Sequence, residues 1–410
     1  MKTLLVSLVS DQTLPNVQFI KELIDQVDVY LFLTTAGMES SGKRKWIINA
    51  TKIDSVKEVT PIIVDQFSFD DITTKLDSFD FSAYNKIIVN LTGGTKVMTL
   101  AADVFFKDLG SEIYYITGSN NNDFIKLFPG RKKTITSFNS RITIAEYLKA
   151  YGFSFEVSAL SGISIAYTKH FFNLYCDKIF DKHKETINSL RAYRKKGLKK
   201  KELVKREDIL NFLAEIEFPV EIENGLTAVL AKYLTGDWFE EYIGLHLKEE
   251  LGLSDDELMI GVTLHKEIPP KVTNDVTTLL GDVKVEDKAP NEFDVMFVYN
   301  NRFYSIECKT SIIDKREVLK NNEMKSKDVN ILGDTIYKAD SLKNKFGLFA
   351  NSSIITLTCL KEYIEIDDKG TRNNRIQDMS SLINRANLSR IKLIDREMIR
   401  GRKTFFELLK

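Results

Sequence analysis

Cysteine and histidine are scarce in this 410-residue chain, and so are the sites that they usually build. The three cysteines, Cys176, Cys308 and Cys359, lie far apart without C-x-x-C spacing, and the four histidines form no ligand pattern. These patterns argue against a disulfide framework and against a zinc site, and they predict a protein of the reducing cytoplasm.

Long apolar runs and net charge are also missing. No run approaches the length of a membrane span, although 43% of the residues are hydrophobic. The apolar N-terminus resembles a short signal peptide, but it lacks a small-residue cleavage site, so we interpret it as a buried first strand. Because the formal net charge is zero, any contact with nucleic acid has to use a local basic patch.

Residues 1–128 alternate apolar strands with helices. The strands are near-continuous apolar runs, which is typical of a parallel sheet covered by helices on both faces. They are predicted at Leu4–Val9, Val29–Leu33, Val56–Val64, Lys86–Leu91 and Glu112–Thr117. We therefore predict a Rossmann-like, doubly wound α/β domain over residues 1–140.

Polar loops follow several of these strands, at the sheet edge where such folds bind ligands. The loop after the fourth strand, Thr92–Lys96 with sequence T-G-G-T-K, joins two glycines to a helix start, whose free N–H groups favour an anion. It is neither a Walker A nor a G-x-G-x-x-G motif, which argues against ATP hydrolysis and NAD binding. Two interpretations stay open: an anion site, or a tight turn with a capping threonine.

The middle segment, 141–233, is helical in pattern and carries the dense basic run Arg191–Arg206. We interpret this run as a solvated face of a helical linker; a surface that contacts a phosphate backbone is the alternative. The part after it, Glu207–Leu234, has the pattern of a small helical or winged-helix module. The sequence assigns no function to this segment.

In the last segment, 234–410, a predicted hairpin from Asn291 to Lys309 brings charged residues together. Side chains alternate between the faces of a strand, so Glu307 and Lys309 point the same way, and strand pairing places Asp294 beside Glu307. Two carboxylates and a main-chain carbonyl, that of Cys308, form an oxygen site that suits Mg²⁺ or Mn²⁺. A neighbouring lysine can orient or deprotonate a water that attacks a phosphate. The pattern indicates phosphodiester hydrolysis; a surface hairpin with a salt bridge is the alternative.

Further elements are predicted on both sides of this hairpin. In chain order they are a helix opening at Thr235–Ile243 with Asp237 as N-cap, a strand at Met259–His265, a loop at Pro269–Pro290, a helix at Asp334–Phe346, and strands at Phe346–Ala350 and Ile354–Leu357. The order helix, three strands, helix, strand is that of a restriction-endonuclease-like α/β core.

Five short motifs resemble, in order, those of the CRISPR-associated effectors that join an N-terminal CARF domain to a C-terminal PD-(D/E)XK nuclease domain. They are Val89–Met98, Thr235–Tyr242, Asn291–Asp294, Ile306–Lys309, and Tyr337-Lys338 with the K-F-G-L-F run after it. Asn291-Glu292-Phe293-Asp294 stands in place of Pro-Asp. The resemblance implies a cytoplasmic homodimer, switched on by cyclic oligoadenylate, usually cyclic tetra-adenylate, that acts as a metal-dependent nuclease on nucleic acid in type III CRISPR defence.

The resemblance also implies roles for individual residues. Asp294 and Glu307 would be metal ligands, Lys309 the catalytic lysine, and Glu240, in preference to Glu241, the upstream acidic residue; whether Glu292 contributes stays open. The residues implied to face the activator are Ser10, Gln12, Thr13, Asn16, Thr34, Thr35, Thr92, Gly93, Gly94, Thr95 and Lys96. Because the two sites lie in separate domains, the helical middle segment is predicted to couple them.

Two other classes of function fit parts of the sequence. One is a CARF-type sensor that binds DNA through the middle segment and has a non-catalytic C-terminal domain; the intact set of Asp294, Glu307 and Lys309 argues against it. The other is a constitutive restriction or repair nuclease whose first domain binds an ordinary nucleotide, and the lack of a Walker A motif argues against NTP-driven action. The sequence does not choose between DNA and RNA.

Overall fold

A computed structural model describes most of the chain. The described ranges are 2–53, 57–117, 122–130, 134–220, 222–266, 291–320, 323–348, 350–363, 379–401 and 404–410. The predicted loop Pro269–Pro290 lies outside them. Within these ranges, no helix combines the length and the apolar character that crossing a bilayer needs.

The sheet of the first domain has seven strands. In chain order they are β1 (Thr3–Leu8), β2 (Val29–Thr34), β3 (Ile62–Ile63), β4 (Lys86–Asn90), β5 (Glu112–Ile116), β6 (Asp123–Phe128) and β7 (Thr134–Ser137). Their order across the sheet is β3-β2-β1-β4-β5-β6-β7, and all pairs up to β5 are parallel. The predicted Rossmann-like arrangement is confirmed, and the order reverses between β1 and β4, which opens a crevice at the carboxyl ends of these two strands.

Helices cover both faces of this sheet. They are α1 (Leu14–Glu22), α2 (Ala36–Ser40), α3 (Lys43–Thr51), α4 (Phe69–Asp77) and α5 (Lys96–Asp108). Neighbouring residues of one strand belong to different hydrophobic clusters: Leu5 packs in one and Leu4 in the other. Because both faces are buried, the strands read as continuous apolar runs. The predicted strand Val56–Val64 is reduced to Ile62–Ile63, with residues 54–56 outside the described ranges.

The middle segment contains strands as well as helices, contrary to the prediction. Its elements are α6 (Ile144–Ala150), β8 (Phe153–Val157), α7 (Ile165–Cys176), α8 (Ile179–Lys182), α9 (Lys184–Leu190), β9 (Leu198–Lys199), α10 (Lys200–Leu203), α11 (Glu207–Glu215), β10 (Gly225–Leu226) and α12 (Ala228–Lys232). β8 is the edge strand of the second large sheet, with Phe155 opposite Leu264. Its alternating F-S-F-E-V sequence has the period of two that a strand requires. The short strands β9 and β10 pair with each other.

The second domain is built on a six-stranded sheet. Its elements are α13 (Trp238–Leu251), β11 (Leu258–Lys266), β12 (Asn291–Tyr299), β13 (Arg302–Lys309), β14 (Ile313–Lys320), β15 (Glu323–Asn330), α14 (Leu332–Lys343), β16 (Asn351–Thr356), α15 (Met379–Leu388), β17 (Ile391–Ile394), α16 (Arg396–Arg400) and α17 (Phe406–Leu409). The order across the sheet is β17-β16-β13-β12-β11-β8, and β14 and β15 form a separate hairpin. The predicted order of helix, three strands, helix and strand is confirmed, with that hairpin inserted before α14.

Two predictions at the turns of this domain had different outcomes. The hairpin over Asn291–Lys309 is confirmed, and Asn300 and Asn301 at its tip have positive φ angles of 49° and 57°, which asparagine tolerates. The strand predicted at Phe346–Ala350 is wrong, because a 3₁₀ turn ends at Phe346 and Gly347 has a φ of 85°. An added Cβ at Gly347 would lie 2.1 Å from the hydroxyl of Tyr151, which follows α6. This close approach leaves room only for glycine at the turn.

Candidate active site

The hairpin of β12 and β13 brings Asp294, Glu307 and Lys309 together. Val295 pairs with Ile306, so Asp294 and Glu307 lie next to each other across the ladder. Asp294 is 8% exposed, and its Oδ2 accepts the main-chain N–H of Cys308 at 2.6 Å. Lys309 forms an ion pair of 2.7 Å with Glu307. The predicted meeting of two carboxylates and an ammonium is therefore confirmed.

The position of the Lys309 ammonium shows that this group of oxygens accepts a cation. Its Nζ donates to Glu307 Oε1 at 2.7 Å and to the Cys308 carbonyl at 3.2 Å, and it lies 3.6 Å from Asp294 Oδ2. These are the three ligands that the sequence predicts for a metal. In the described part of the chain, no three or more His, Cys, Asp or Glu side chains are grouped to hold an ion. The donor set, two carboxylates and a carbonyl, is all oxygen and fits Mg²⁺ or Mn²⁺.

Burial and neighbouring charges change the protonation of this group. Burial and the charge of Glu307 raise the pKa of Asp294 to about 6. Burial lowers the pKa of Lys309, but Asp294 and Glu307 outweigh this effect and raise it above its ordinary value. Lys309 is therefore a charged hydrogen-bond donor in this arrangement, which suits orienting a water or a phosphate oxygen better than removing a proton.

A second lysine, Lys338 of α14, belongs to the same group of charges. Its Nζ donates to both carboxylate oxygens of Glu307, at 3.1 and 3.2 Å, and to the main-chain carbonyl of Glu292 at 3.2 Å. Glu307 thus lies between two ammonium groups, and Glu292 contacts the cluster through its carbonyl. In the sequence, Lys338 stands out only as part of a motif, and no place in the site was predicted for it. The signal was the Tyr337-Lys338 pair on a predicted helix, but helical periodicity alone does not show which strand the helix covers.

The structure distinguishes the two candidate glutamates at the start of α13. Burial and the charges of Asp294 and Asp237 raise the pKa of Glu240 to about 9, so its carboxyl lies within electrostatic reach of the cluster. Glu241 points elsewhere: its carboxylate accepts the N–H of Ser161 at 2.8 Å and the hydroxyl at 2.5 Å. Glu241 is therefore bound to Ser161, and Glu240 is the glutamate whose charge interacts with Asp294; its role as the upstream acidic residue stays a prediction.

A cleft of about 820 Å³ opens beside these residues. Glu240, Cys308 and Lys309 of the second domain line it, together with residues of the middle segment that include Lys184 and Arg191. Most of the predicted basic run lies outside the cleft. Part of the middle segment therefore lines this cleft, and the phosphate-backbone contact of the basic run stays a prediction.

The Thr92–Lys96 loop leaves β4 beside the crevice of the first domain. Gly93 packs against β1 so closely that an added Cβ would lie 2.0 Å from the Leu8 carbonyl oxygen. Thr95 caps α5 by accepting the N–H of Met98 at 3.3 Å, and it donates to the carbonyl of Gln66 at 2.8 Å. The turn with a capping threonine is thus present, and Lys96 is exposed without an ion pair among the described residues. These features are compatible with an anion site at the start of α5.

The other residues predicted to face the activator lie at the ends of β1, β2 and β4, at different depths. Thr13 and Asn16 are buried: Thr13 donates to the Ala150 carbonyl, and Asn16 donates to the Leu8 carbonyl and accepts from Asn90. Thr34 and Thr35 are also buried. The residues nearer the surface are Ser10, Gln12 and Thr92. The activator-binding role of all of them stays a prediction.

Comparison with protein-family models identifies both halves of the chain. Residues 4–147 match the model of the Card1 CARF domain, and residues 228–398 match the model of the Card1-like endonuclease domain. The chain belongs to the Card1-like CARF-domain endonucleases. Together the two matches span about three quarters of the chain, in the order that the sequence motifs predict. No curated protein matches it.

Solved structures share the fold of the whole chain at low sequence identity. Protein VC1899 from Vibrio cholerae has a TM-score of 0.66 and 16% identity, over 97% of this chain and 95% of its own. Can2 from Sulfobacillus thermosulfidooxidans, solved in complex with cyclic tetra-adenylate, has a TM-score of 0.65 and 19% identity, over 100% and 99%. A type III CRISPR defence DNA nuclease activated by cyclic oligoadenylate has a TM-score of 0.51 and 14% identity, over 87% of this chain and 45% of its own.

The CARF and endonuclease domains are in direct contact. The Gln12 carboxamide oxygen, in the loop after β1, accepts the main-chain N–H of Leu348 at 3.3 Å and the Tyr151 hydroxyl at 3.4 Å. Leu348 follows α14, the helix that carries Lys338. The Tyr147 hydroxyl also donates to the carbonyl of Phe346 at 2.7 Å. Gln12, which is predicted to bind the activator, therefore contacts the endonuclease domain directly. The sequence had predicted that the middle segment couples the two sites.

Proposed function

We propose that this protein is a metal-dependent endonuclease that cyclic tetra-adenylate activates in type III CRISPR defence, with a PD-(D/E)XK active site. The observation that carries the proposal is the convergence of Asp294, Glu307 and the Cys308 carbonyl on one cation, the Lys309 ammonium. The membership of the chain in a CARF-domain endonuclease family supports it. The domains are proposed as 1–140, 141–233 and 234–410, and the location as cytoplasmic.

The residues of the site have distinct tasks in this proposal. A Mg²⁺ or Mn²⁺ ion held by Asp294, Glu307 and the Cys308 carbonyl supplies Lewis-acid stabilisation of charge on the phosphate when it is bound. Lys309 is charged and orients the attacking water or a phosphate oxygen. Lys338 fixes the Glu307 carboxylate through two hydrogen bonds. Glu240, with its pKa near 9, holds a proton at neutral pH in this arrangement.

Two features support activation by a cyclic nucleotide. The crevice between β1 and β4 is the place where a doubly wound fold binds ligands, and a glycine-rich helix start lies at its edge. Can2, which shares the fold of the whole chain, was solved in complex with cyclic tetra-adenylate. The activator site and the proposed metal ligands lie in different domains. Activation is therefore a shift between two arrangements of the protein, driven by the higher affinity of the activator for one of them.

A cleavage panel tests the proposal directly. The purified protein is mixed with Mg²⁺ or Mn²⁺, with and without cyclic tetra-adenylate, on plasmid, single-stranded DNA and single-stranded RNA. We expect cleavage of at least one substrate that requires both the metal and the activator. Equal cleavage without any cyclic nucleotide would identify a constitutive nuclease, and activator binding without cleavage would identify a non-catalytic sensor.

Replacing Lys96 by alanine is expected to raise the activator concentration that gives half-maximal cleavage, while the maximal rate stays largely intact. Lys96 is exposed at the start of α5, beside the crevice, so it can contribute a charge to an anionic ligand but no chemistry to the cluster. The measurement is the cleavage rate against activator concentration, with Lys107→Ala at the far end of α5 as the control. A variant that binds activator normally but does not cleave would contradict this gating model.

The protein is expected to be a dimer before any activator is added. A cyclic ligand with four equal units suits a two-fold symmetric pocket to which each subunit gives the same loops. Leu100 and Val104, four residues apart on α5, are 61% and 50% exposed, and they provide an apolar stripe for such an interface.

Light scattering at micromolar concentration measures this directly. The wild type should have the mass of a dimer, and Leu100→Asp with Val104→Asp should shift it towards the monomer. Leu388→Asp, at an 87% exposed leucine of the endonuclease domain, is the control and should stay dimeric. A monomeric wild type, with and without activator, would refute the prediction.

A further inference from the structure

One wall of the cleft beside the candidate active site is basic. The wall comes from α9 and the 3₁₀ turn Arg191–Tyr193 that follows it. The cleft-lining residues of this wall with charged or amide side chains are Lys184, Asn188, Arg191 and Arg194, together with Asp181 at its outer end. The wall belongs to the middle segment and lines the same cleft as Glu240 and Lys309.

The spacing of these residues shows that they form a continuous face. Lys184, Asn188 and Arg191 are separated by four and three residues, the spacing that places side chains above one another on one side of a helix. Ile187 lies on the same face and also lines the cleft. Thr186 and Leu190, on the opposite side, are buried in the protein. The basic face is therefore aimed at the cleft by the packing of the helix.

The charges on this face are largely available to a ligand. Lys184 and Arg191 are exposed, and neither forms an ion pair among the described residues. The hydrogen bond of Arg191 is to the neutral amide oxygen of Asn188, at 3.1 Å. The neighbouring lysine in the sequence, Lys182, differs: it pairs with Glu215 at 2.7 Å and lies outside the cleft. Among the described residues, no ion pair therefore neutralises Lys184 or Arg191.

Arg194 fixes the inner end of this face relative to the acidic cluster. Its guanidinium donates to Asp237 Oδ1 at 2.6 Å, and its buried Nε has no partner within the described residues. Asp237 precedes α13, and Glu240 follows three residues later, which is less than one helical turn of about 5.4 Å. The ion pair therefore holds the basic wall close to Glu240.

We infer that the face formed by Lys184, Asn188 and Arg191 binds backbone phosphates of the nucleic-acid substrate next to the bond that is cut. The inference rests on the proposed nuclease function and adds the groups that hold the strand. Cationic and amide side chains on a helix face are common ligands of phosphate oxygens. Contacts of this kind do not read sequence, so they hold DNA and RNA alike and place the next phosphate at the metal ligands opposite.

The test compares two double variants that remove the same charge. One combines Lys184→Ala with Arg191→Ala, both in the cleft. The matched control combines Lys195→Ala with Lys196→Ala, which are exposed lysines of the basic run Arg191–Arg206 that do not line the cleft. Both carry Glu307→Gln to prevent cleavage, and binding is measured with EDTA and cyclic tetra-adenylate present. The probes are labelled single-stranded DNA and single-stranded RNA of the same sequence. The dissociation constant is recorded over a range of salt concentrations.

The cleft variant is expected to bind both probes about tenfold more weakly. The plot of log K, the association constant, against the logarithm of the salt concentration should also become less steep. The magnitude of its slope should decrease by about 1.4, which is about 0.7 for each lost contact with a single strand. The control should stay within about twofold of its parent. If the two variants behave alike while the wild-type protein cleaves, the proposal is wrong and the nuclease function stands. Weakening for one probe alone would also overturn it, because a phosphate contact serves both. If the wild type neither binds nor cleaves, the nuclease function itself fails.

Discussion

Replacing Lys309 by alanine is expected to lower the rate of cleavage by at least about 10²-fold, the usual cost of losing one preorganised donor at a reacting phosphate or acyl group. The Lys309 ammonium lies beside Glu307, the Cys308 carbonyl and Asp294, so its charge is available next to the proposed metal ligands. Glu307→Ala should be equally severe, because it removes a proposed metal ligand and the hydrogen-bond partner of both lysines. Activator binding should remain, since the crevice lies in the other domain.

The measurements are the cleavage rate at saturating activator, the affinity for the activator and thermal unfolding. Lys392→Ala serves as the control, because Lys392 is an exposed lysine on β17 of the same sheet and should leave all three unchanged. Glu307→Gln keeps the shape of the side chain and separates loss of charge from loss of packing. Cleavage within a few-fold of the wild type in Lys309→Ala or Glu307→Ala would overturn the active-site assignment.

Replacing Gly93 by alanine is expected to have the second largest effect, this time on activation. The added Cβ would lie 2.0 Å from the Leu8 carbonyl oxygen, a main-chain atom of β1, so the loop or the strand has to move. Such overpacking costs about 1–3 kcal/mol of stability. The displaced loop should also present the start of α5 in the wrong place and raise the activator concentration for half-maximal cleavage by about tenfold or more.

Gly37→Ala is the matched control for this prediction. Gly37 lies in α2 at the end of the neighbouring strand, where an added Cβ would meet nothing closer than the Thr35 hydroxyl at 3.9 Å. Thermal unfolding and titration of cleavage with activator are measured for both variants. A Gly93→Ala protein that unfolds and responds to activator as the wild type does would show that the loop has no part in activation.

The sequence by itself determined the features that depend on local periodicity. The period of two along Ile306-Glu307-Cys308-Lys309 places Glu307 and Lys309 on one face, and the structure joins them by a 2.7 Å ion pair. The continuous apolar strands predicted a sheet covered on both faces, as Leu4 and Leu5 show by packing into different clusters. The strand at Phe153–Val157 has the same alternation, but it was missed because the whole middle segment was interpreted as helical.

Only the tertiary structure decided which distant residues meet. Lys338 reaches Glu307 because α14 packs beside the strands of the hairpin. The choice between Glu240 and Glu241 rests on the contact of Glu241 with Ser161. Gln12 and Leu348, 336 residues apart, touch because the two domains share a continuous core. The cleft likewise brings residues of α9 to the same place as Glu240 and Lys309. Alternation and helical spacing act over a few residues, so they fix the direction of a side chain relative to its own element. The partner across the interface is set by how whole sheets and helices pack, and the chain order contains no local signal of that.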